Sequence, residues 1–294
     1  FDEYFEYDSA LYKQLVTTRD MVLNTSDLVK YSTELNMLEK NITLFHAKII
    51  NQILSKFNHE IDLIGFHGQT IFHNPESKTT RQLGDGYLLS QLVNKTVVYD
   101  FRQADIANNG QGAPLTPIFH YLLANKISEK YQLELPLSIL NIGGISNVTQ
   151  ITKFSSVLED NFLAVDIGPG NCLIDEWIRN NSKLNFDEGG KIAKSGKIDQ
   201  LILNQVIENF EIKNYSKSLD IKDFDINFAR GLSLEDGCAT ITKFTAQLIS
   251  DAIKSLNNQN FSKKYLLCGG GRKNDFLINC ITNNLKFENS DLDK

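Results

Sequence analysis

Residues 137–151 read Leu137-Ser138-Ile139-Leu140-Asn141-Ile142-Gly143-Gly144-Ile145-Ser146-Asn147-Val148-Thr149-Gln150-Ile151. Two runs of aliphatic and β-branched residues flank a Gly-Gly pair, which predicts an antiparallel hairpin with a tight turn. A third strand is predicted over Phe162 to Asp166, followed by Gly168-Pro169-Gly170 and a helix from about Asn171 to Arg179. Further on, Leu232 to Leu256 reads as a long helix and Tyr265 to Cys268 as a strand. Gly269-Gly270-Gly271 then leads to another helix from about Asn274. A hairpin-led antiparallel start feeding further strands and helices implies a mixed sheet rather than a plain dinucleotide-binding fold.

Outward from this stretch, the first half also mixes strands and helices. Phe1 to Ala10 alternates aromatic and acidic residues, the pattern of an exposed or edge strand. Leu35, Leu38, Ile42, Phe45, Ile49 and Ile53 share one face of a helix over Leu35 to Phe57. Ile61 to Phe66 reads as a short buried strand, Gly84-Asp85-Gly86 as a turn opening a helix to Val93, and Thr96 to Phe101 as a strand. Gly110-Gln111-Gly112-Ala113-Pro114 is a loop, and Pro114 or Pro117 can open a helix to about Ala124. Residues 182–230 are expected to hold lid or surface helices, and Phe287 to Lys294 to be frayed. The expectation is two α/β lobes, residues 1–130 and residues 131–294.

A chain of 294 residues with 41% hydrophobic and 22% charged residues is an ordinary globular composition and excludes wholesale disorder. No apolar run is long enough for a membrane-spanning helix. A net charge of −6 argues against a nucleic-acid binder held by a general basic field. Cys172, Cys238, Cys268 and Cys280 lack close CxxC spacing and fit buried, reduced thiols in a cytoplasmic protein.

Three Gly-rich turns follow strands in the second half: Gly143-Gly144, Gly168-Pro169-Gly170 and Gly269-Gly270-Gly271. One such turn is more often structural. Three together favour phosphate or nucleotide binding, because glycine lets backbone N–H groups approach an anion and the last two precede helices. Neither the P-loop pattern nor the GxGxxG fingerprint occurs. Asp166, at a strand end, is either a base or metal–phosphate ligand or the cap of the next helix. His67 is either a substrate hydrogen-bonding group or a satisfied core histidine. Arg102 is either a clamp for a carboxylate or phosphate, or the partner of Asp100 or Asp105.

Taken in order, Ile64-Gly65-Phe66-His67-Gly68-Gln69-Thr70, Gly84-Asp85-Gly86, Asp100-Phe101-Arg102 with Ala104-Asp105-Ile106-Ala107, and Gly110-Gln111-Gly112-Ala113-Pro114-Leu115 closely resemble the anhydro-N-acetylmuramic acid kinase family. So do Asn141-Ile142-Gly143-Gly144-Ile145-Ser146-Asn147, Asp166-Ile167-Gly168-Pro169-Gly170-Asn171 and Cys268-Gly269-Gly270-Gly271-Arg272-Lys273-Asn274. The resemblance implies an α/β actin-like ATPase (RNase H-like) fold, duplicated into two lobes with mixed sheets and ATP in the cleft. It implies a cytoplasmic enzyme of peptidoglycan recycling. Such an enzyme uses ATP and Mg2+ to open 1,6-anhydro-N-acetylmuramic acid with water and form N-acetylmuramic acid 6-phosphate. It assigns the base to Asp166, and the phosphates and adenosine to Gly143, Gly144, Ser146, Gly168, Gly170, Asn171, Gly269, Gly270 and Gly271. The sugar falls to His67, Gln69, Arg102 and Asp105, with no metal ligand assigned. The implied partners are the small-molecule sugar and a second copy in a homodimer, with no nucleic acid and no membrane. Lys217-Ser218 echoes a Lys-Ser pair of the family.

Two departures stand out. The family opens on a Gly-Met-Ser-Gly-Thr-Ser-x-Asp-Gly hairpin that this sequence lacks, and continues past the Gly-Gly-Gly loop with a further strand and helical segment. The expectation is a kinase lacking its N-terminal phosphate loop and C-terminal segment. The alternative reading is a truncated, inactive remnant that retains at most sugar or nucleotide binding. Asn109 also stands where a Gly is usual.

Overall fold

The computed structural model describes residues 3–58, 60–74, 76–113, 115–155, 161–210, 219, 221–257, 265–285 and 292–293. The chain divides into two compact units, Phe1–Leu115 and Thr116–Lys294.

In the first unit, α1 (Ser9–Met21) starts where the Asp8 carboxylate accepts the Leu11 N–H at 2.8 Å. Residues 3–8 form neither helix nor strand, so the strand expected over residues 1–10 does not appear among the described residues. Alternation alone supplies no pairing partner; Tyr7 instead lays its ring 4.8 Å from that of Phe45. After α2 (Thr25–Lys30), with its Asn24/Asp27 capping box, comes α3 (Ser32–Lys56). Leu35, Leu38 and Ile42 of α3 pack with Leu11, Leu15, Val22, Ile71 and Leu83. This is the helical face expected from the sequence.

Two small sheets follow. β1 (Leu63–Gly65) is shorter and more open than expected, with Leu63 56% exposed, because among the described residues β4 (Thr96–Val98) is its one pairing strand. Between them in sequence lie the antiparallel hairpin β2 (Gln69–Asn74) and β3 (Thr79–Leu83), and α4 (Gly86–Val93). Glu39 of α3 fixes that hairpin: Oε2 pairs with Arg81 at 2.9 Å and Oε1 accepts the Gly84 N–H at 3.1 Å. The strand predicted to run to Phe101 stops at Val98. Asp100, at φ 58°, turns the chain into α5 (Phe101–Ala107), which carries Arg102 and Asp105.

The second unit opens with α6 (Thr116–Tyr131), then β5 (Leu137–Ile142), β6 (Ile145–Ile151), β7 (Phe162–Pro169) and α7 (Cys172–Asn181). The stretch expected to hold surface helices contributes α8 (Lys191–Ser195) and α9 (Gln200–Asn209). Then come α10 (Leu234–Asn257), β8 (Tyr265–Cys268), α11 (Asp275–Leu285) and β9 (Leu292–Asp293). The last of these falls in the segment expected to be frayed; Leu292 and Asp293 pair in parallel with Tyr265 and Leu266.

The sheet order is β7-β6-β5-β8-β9, antiparallel through β7-β6-β5 and parallel through β5-β8-β9. A three-strand meander extended by two parallel strands is the mixed sheet that the resemblance implies. Alternation assigns its two faces. Leu140, Ile142, Val148 and Ile167 join Leu173, Trp177, Ile241, Phe244 and Leu277 of α7, α10 and α11 in the main core. Leu137, Ile139 and Ile151 take Tyr121 and Ala124 of α6 on the other face.

Candidate active site

The three glycine loops of the second unit meet. The register Ile142↔Ser146 makes the hairpin turn one residue longer than the Gly-Gly pair alone. Its tip is held by the second loop: Gly170 N–H donates to the Gly144 carbonyl at 2.8 Å and Asn171 N–H to the Gly143 carbonyl at 2.7 Å. Ser146 is buried, and its Oγ donates to the Pro169 carbonyl at 3.2 Å. A side chain at Gly170 would overlap the Gly143 carbonyl oxygen, and one at Gly271 would overlap Ile142. Both positions therefore require glycine for close approach of backbone to backbone. A Cβ at Gly270 would meet Asn171 Nδ2 at 3.6 Å, an ordinary contact, so the Asn171 amide lies against the third loop while Gly270 itself is exposed. Gly269, at φ 80°, lies over Ile142 and Asn141. Gly168 has φ 145°.

Asp166 lies on β7 two residues before this junction. The N-cap position of α7 is Asn171, so Asp166 does not cap that helix. Its Oδ2 accepts the Leu219 N–H at 2.9 Å. Burial pushes the Asp166 carboxyl above the usual carboxylate range, and the Leu219 N–H opposes that rise. Lys217-Ser218, just before Leu219, lies outside the described residues.

Cross-strand register places Asp166, Asn147, Asn141 and Cys268 in one row across four strands, on the face that takes α6. Cys268 Sγ donates to Asn141 Oδ1 at 3.6 Å and lies 3.8 Å from His120 Nε2. His120 Nδ1 is 2.8 Å from Thr149 Oγ1. Burial lowers His120 and raises the Cys268 thiol, though Arg272 draws the latter down, so the pair is an uncharged imidazole and thiol at neutral pH. Cys172, Cys238 and Cys280 are buried, and all four cysteines are free.

In the first unit, His67 is exposed rather than a core histidine. Arg102 Nε donates to His67 Nε2 at 3.0 Å, and Arg102 reaches the Gly112 carbonyl at 3.2 Å. A guanidinium has donors only, so His67 Nε2 is the acceptor and Nδ1–H donates to the Gly68 carbonyl at 2.9 Å. Among the described residues Arg102 forms no ion pair with Asp100 or Asp105. Burial pulls its guanidinium below its usual value. The Asp105 carboxylate accepts the Gly112 N–H at 2.7 Å and so shapes the 110–112 loop. Gln69 sits at the start of β2, opposite Leu83.

Sequence reading did not single out Leu219, Asn147, Asn141 or His120. The two asparagines are legible in the motif: they flank the Gly-Gly turn, two residues before Gly143 and three after Gly144. Leu219 was not, because it reaches Asp166 across 53 residues of chain.

Among the described residues no cluster of His, Cys, Asp and Glu could hold a metal ion on its own, and no helix is long and apolar enough to cross a membrane. The likeness to the activator of the 2-hydroxyisocaproyl-CoA dehydratase from Clostridium difficile has a TM-score of 0.36 at 16% identity, over 59% of each chain, too low to weigh. Sequence relatives are far nearer. The anhydro-N-acetylmuramic acid kinase of Pelagibacter ubique is 48% identical over 97% of this chain and 75% of its own length. That of Methylobacterium nodulans is 36% identical over 97% of this chain and 74% of its own length. A sequence model described as anhydro-N-acetylmuramic acid kinase matches residues 4–291. That match does not bear out the expectation of two lost ends, and none of these relatives favours an inactive remnant. By these matches the chain belongs to the anhydro-N-acetylmuramic acid kinase family.

Proposed function

We propose that this chain uses ATP and water to convert 1,6-anhydro-N-acetylmuramic acid to N-acetylmuramic acid 6-phosphate, with Asp166 as the base. The observation that carries the reading is the half-buried Asp166 carboxylate beside the junction of the three glycine loops. Its raised proton affinity suits a general base, which works best when its pKa approaches the working pH.

Asp166 takes a proton from water, and the water oxygen bonds to the anomeric carbon. The bond from that carbon to O6 breaks, and O6 takes the γ-phosphoryl group as ADP leaves. The glycine loops fit the polyphosphate, because they are held without side chains and present backbone where a Cβ would intrude. Gly143, Gly144, Gly269 and Gly270 line that cradle, while Ser146 and Asn171 hold its loops together. Magnesium, when bound, neutralises phosphate charge. Phosphates and waters supply its ligands, so it needs no cluster of protein carboxylates.

On the sugar side, Arg102 takes the lactyl carboxylate and His67 holds the guanidinium in place. Gln69 offers its amide to the sugar, and Asp105 acts by fixing the 110–112 loop. The partner is thus an anionic amino sugar.

Incubating the purified chain with the anhydro-sugar, ATP and magnesium should yield a product heavier by one water and one phosphoryl group in mass spectrometry. An unchanged sugar in the presence of intact ATP would overturn the reading.

A further inference from the structure

We infer that Asn147 positions the attacking water, accepting from its second O–H while Asp166 accepts the first. This rests on the function proposed above and adds a residue to its mechanism. Asn147 and Asp166 are direct register partners on β6 and β7, so their side chains leave the same face of the sheet as neighbours. The register slips between Ser146 and Asn147, a bulge beside a strand-end carboxylate. Bulges re-aim side chains and recur next to active sites.

The Asn147 amide oxygen is buried and has no hydrogen-bond partner among the described residues. Its neighbour in the row cannot supply one: Asn141 Oδ1 takes the Cys268 thiol, and its amide nitrogen lies toward Gly143. A buried amide oxygen without a donor is costly and marks a place for a bound group. On the other side, the Leu219 N–H occupies Asp166 Oδ2. Among the described residues neither Asp166 Oδ1 nor Asn147 Oδ1 takes a hydrogen bond, and the register sets their side chains next to each other. A water between them donates both its O–H bonds, and its lone pairs are left pointing away from both. That is the orientation a nucleophile needs. In the reaction one proton passes to Asp166, the oxygen bonds to the anomeric carbon, and the other proton stays on the new hydroxyl, still held by Asn147.

The test is steady-state kinetics across pH on the wild type, Asn147→Ala and Asn147→Asp, with melting temperatures. Asn147→Ala should lose about 100-fold in kcat, the scale of a misplaced reactant, while KM for sugar and ATP stays within about threefold. Asn147→Asp keeps an acceptor but sets a second carboxylate beside Asp166, so the acid limb of kcat should move up by about one pH unit. That shift reads the adjacency of position 147 to Asp166, while the loss of kcat at unchanged KM reads the positioning of the water, which a purely structural residue would not show. Alanine retaining kcat within about threefold, or an aspartate variant with an unmoved limb, overturns the inference; if the alanine variant does not fold, the aspartate variant decides alone. A wild type that turns over beside unaffected variants removes the role of Asn147 and leaves the proposed function standing. A wild type that makes no product removes the proposed function, and this inference with it.

Discussion

Asp166 is the proposed base, and its surroundings set the sign of its pH response. Burial raises its carboxyl, so the base is protonated at a higher pH than a free aspartate. kcat/KM should therefore fall as pH drops, with an acid limb above about pH 4, the ordinary aspartate range. Asp166→Asn should remove about 10²- to 10⁴-fold of kcat, the usual share of a general base, and leave nucleotide affinity unchanged in calorimetry. A variant within tenfold of the wild type would contradict the assignment.

A second carboxylate behaves differently. Asp175 on α7 is pushed up to about 6 by burial, with Arg179 opposing and Asp187 adding to the rise. The folded chain thus holds this proton more tightly than the unfolded chain does. The stability it contributes is fully present below about pH 4 and is lost as pH rises through 6. Asp175→Asn should stabilise the protein by about 1–2 kcal/mol at pH 7, allowing for solvent screening, and by nothing near pH 4. Denaturant melts at the two pH values check this.

Among the elements, the glycine loops separate close packing from ligand contact. Gly170→Ala forces a methyl into the Gly143 carbonyl and should cost about 1–3 kcal/mol, as overpacking does, opening the loop junction. Gly270→Ala has room for its methyl and should change stability by less than about 0.5 kcal/mol. Its methyl nevertheless stands on the exposed side of the loop, so kcat/KM for ATP should fall while the melting temperature holds. Equal losses of stability in both variants would count against a phosphate cradle.

Much of this level was legible in the sequence. Leu137–Ile142 and Ile145–Ile151 pair as the Gly-Gly turn between two aliphatic runs indicates, and Leu234–Asn257 forms the long helix expected over Leu232 to Leu256. The failures have physical causes. Residues 3–8 alternate like a strand but have no strand beside them. Asp100 enters the left-handed region and starts α5 where β-branched neighbours suggested a longer strand. The β2–β3 hairpin depends on Glu39, 42 residues from Arg81 in sequence, which no local pattern shows.

At the scale of the whole molecule, each unit has its own apolar clusters, the largest running beneath the mixed sheet of residues 116–294. The fold was readable because a hairpin, a third strand and a later parallel strand can close into few sheet orders. The site was readable only in part. Loops adjacent in space announce themselves by glycine, but the Leu219 N–H on Asp166 and the row from Asp166 to Cys268 are products of folding. Ligand binding should act on the molecule as a unit. A non-hydrolysable ATP analogue with magnesium at about 100 times its Kd should add about 2.7 kcal/mol of stability, seen as a rise in melting temperature.

The central claim is that water attacks the sugar while ATP phosphorylates the released oxygen. Running the reaction in ¹⁸O-water and quenching it before the anomeric hydroxyl exchanges tests this directly. The account predicts one ¹⁸O on the anomeric carbon of the phosphorylated product and none in its phosphate. Label in the phosphate, or an unlabelled anomeric hydroxyl, would contradict it.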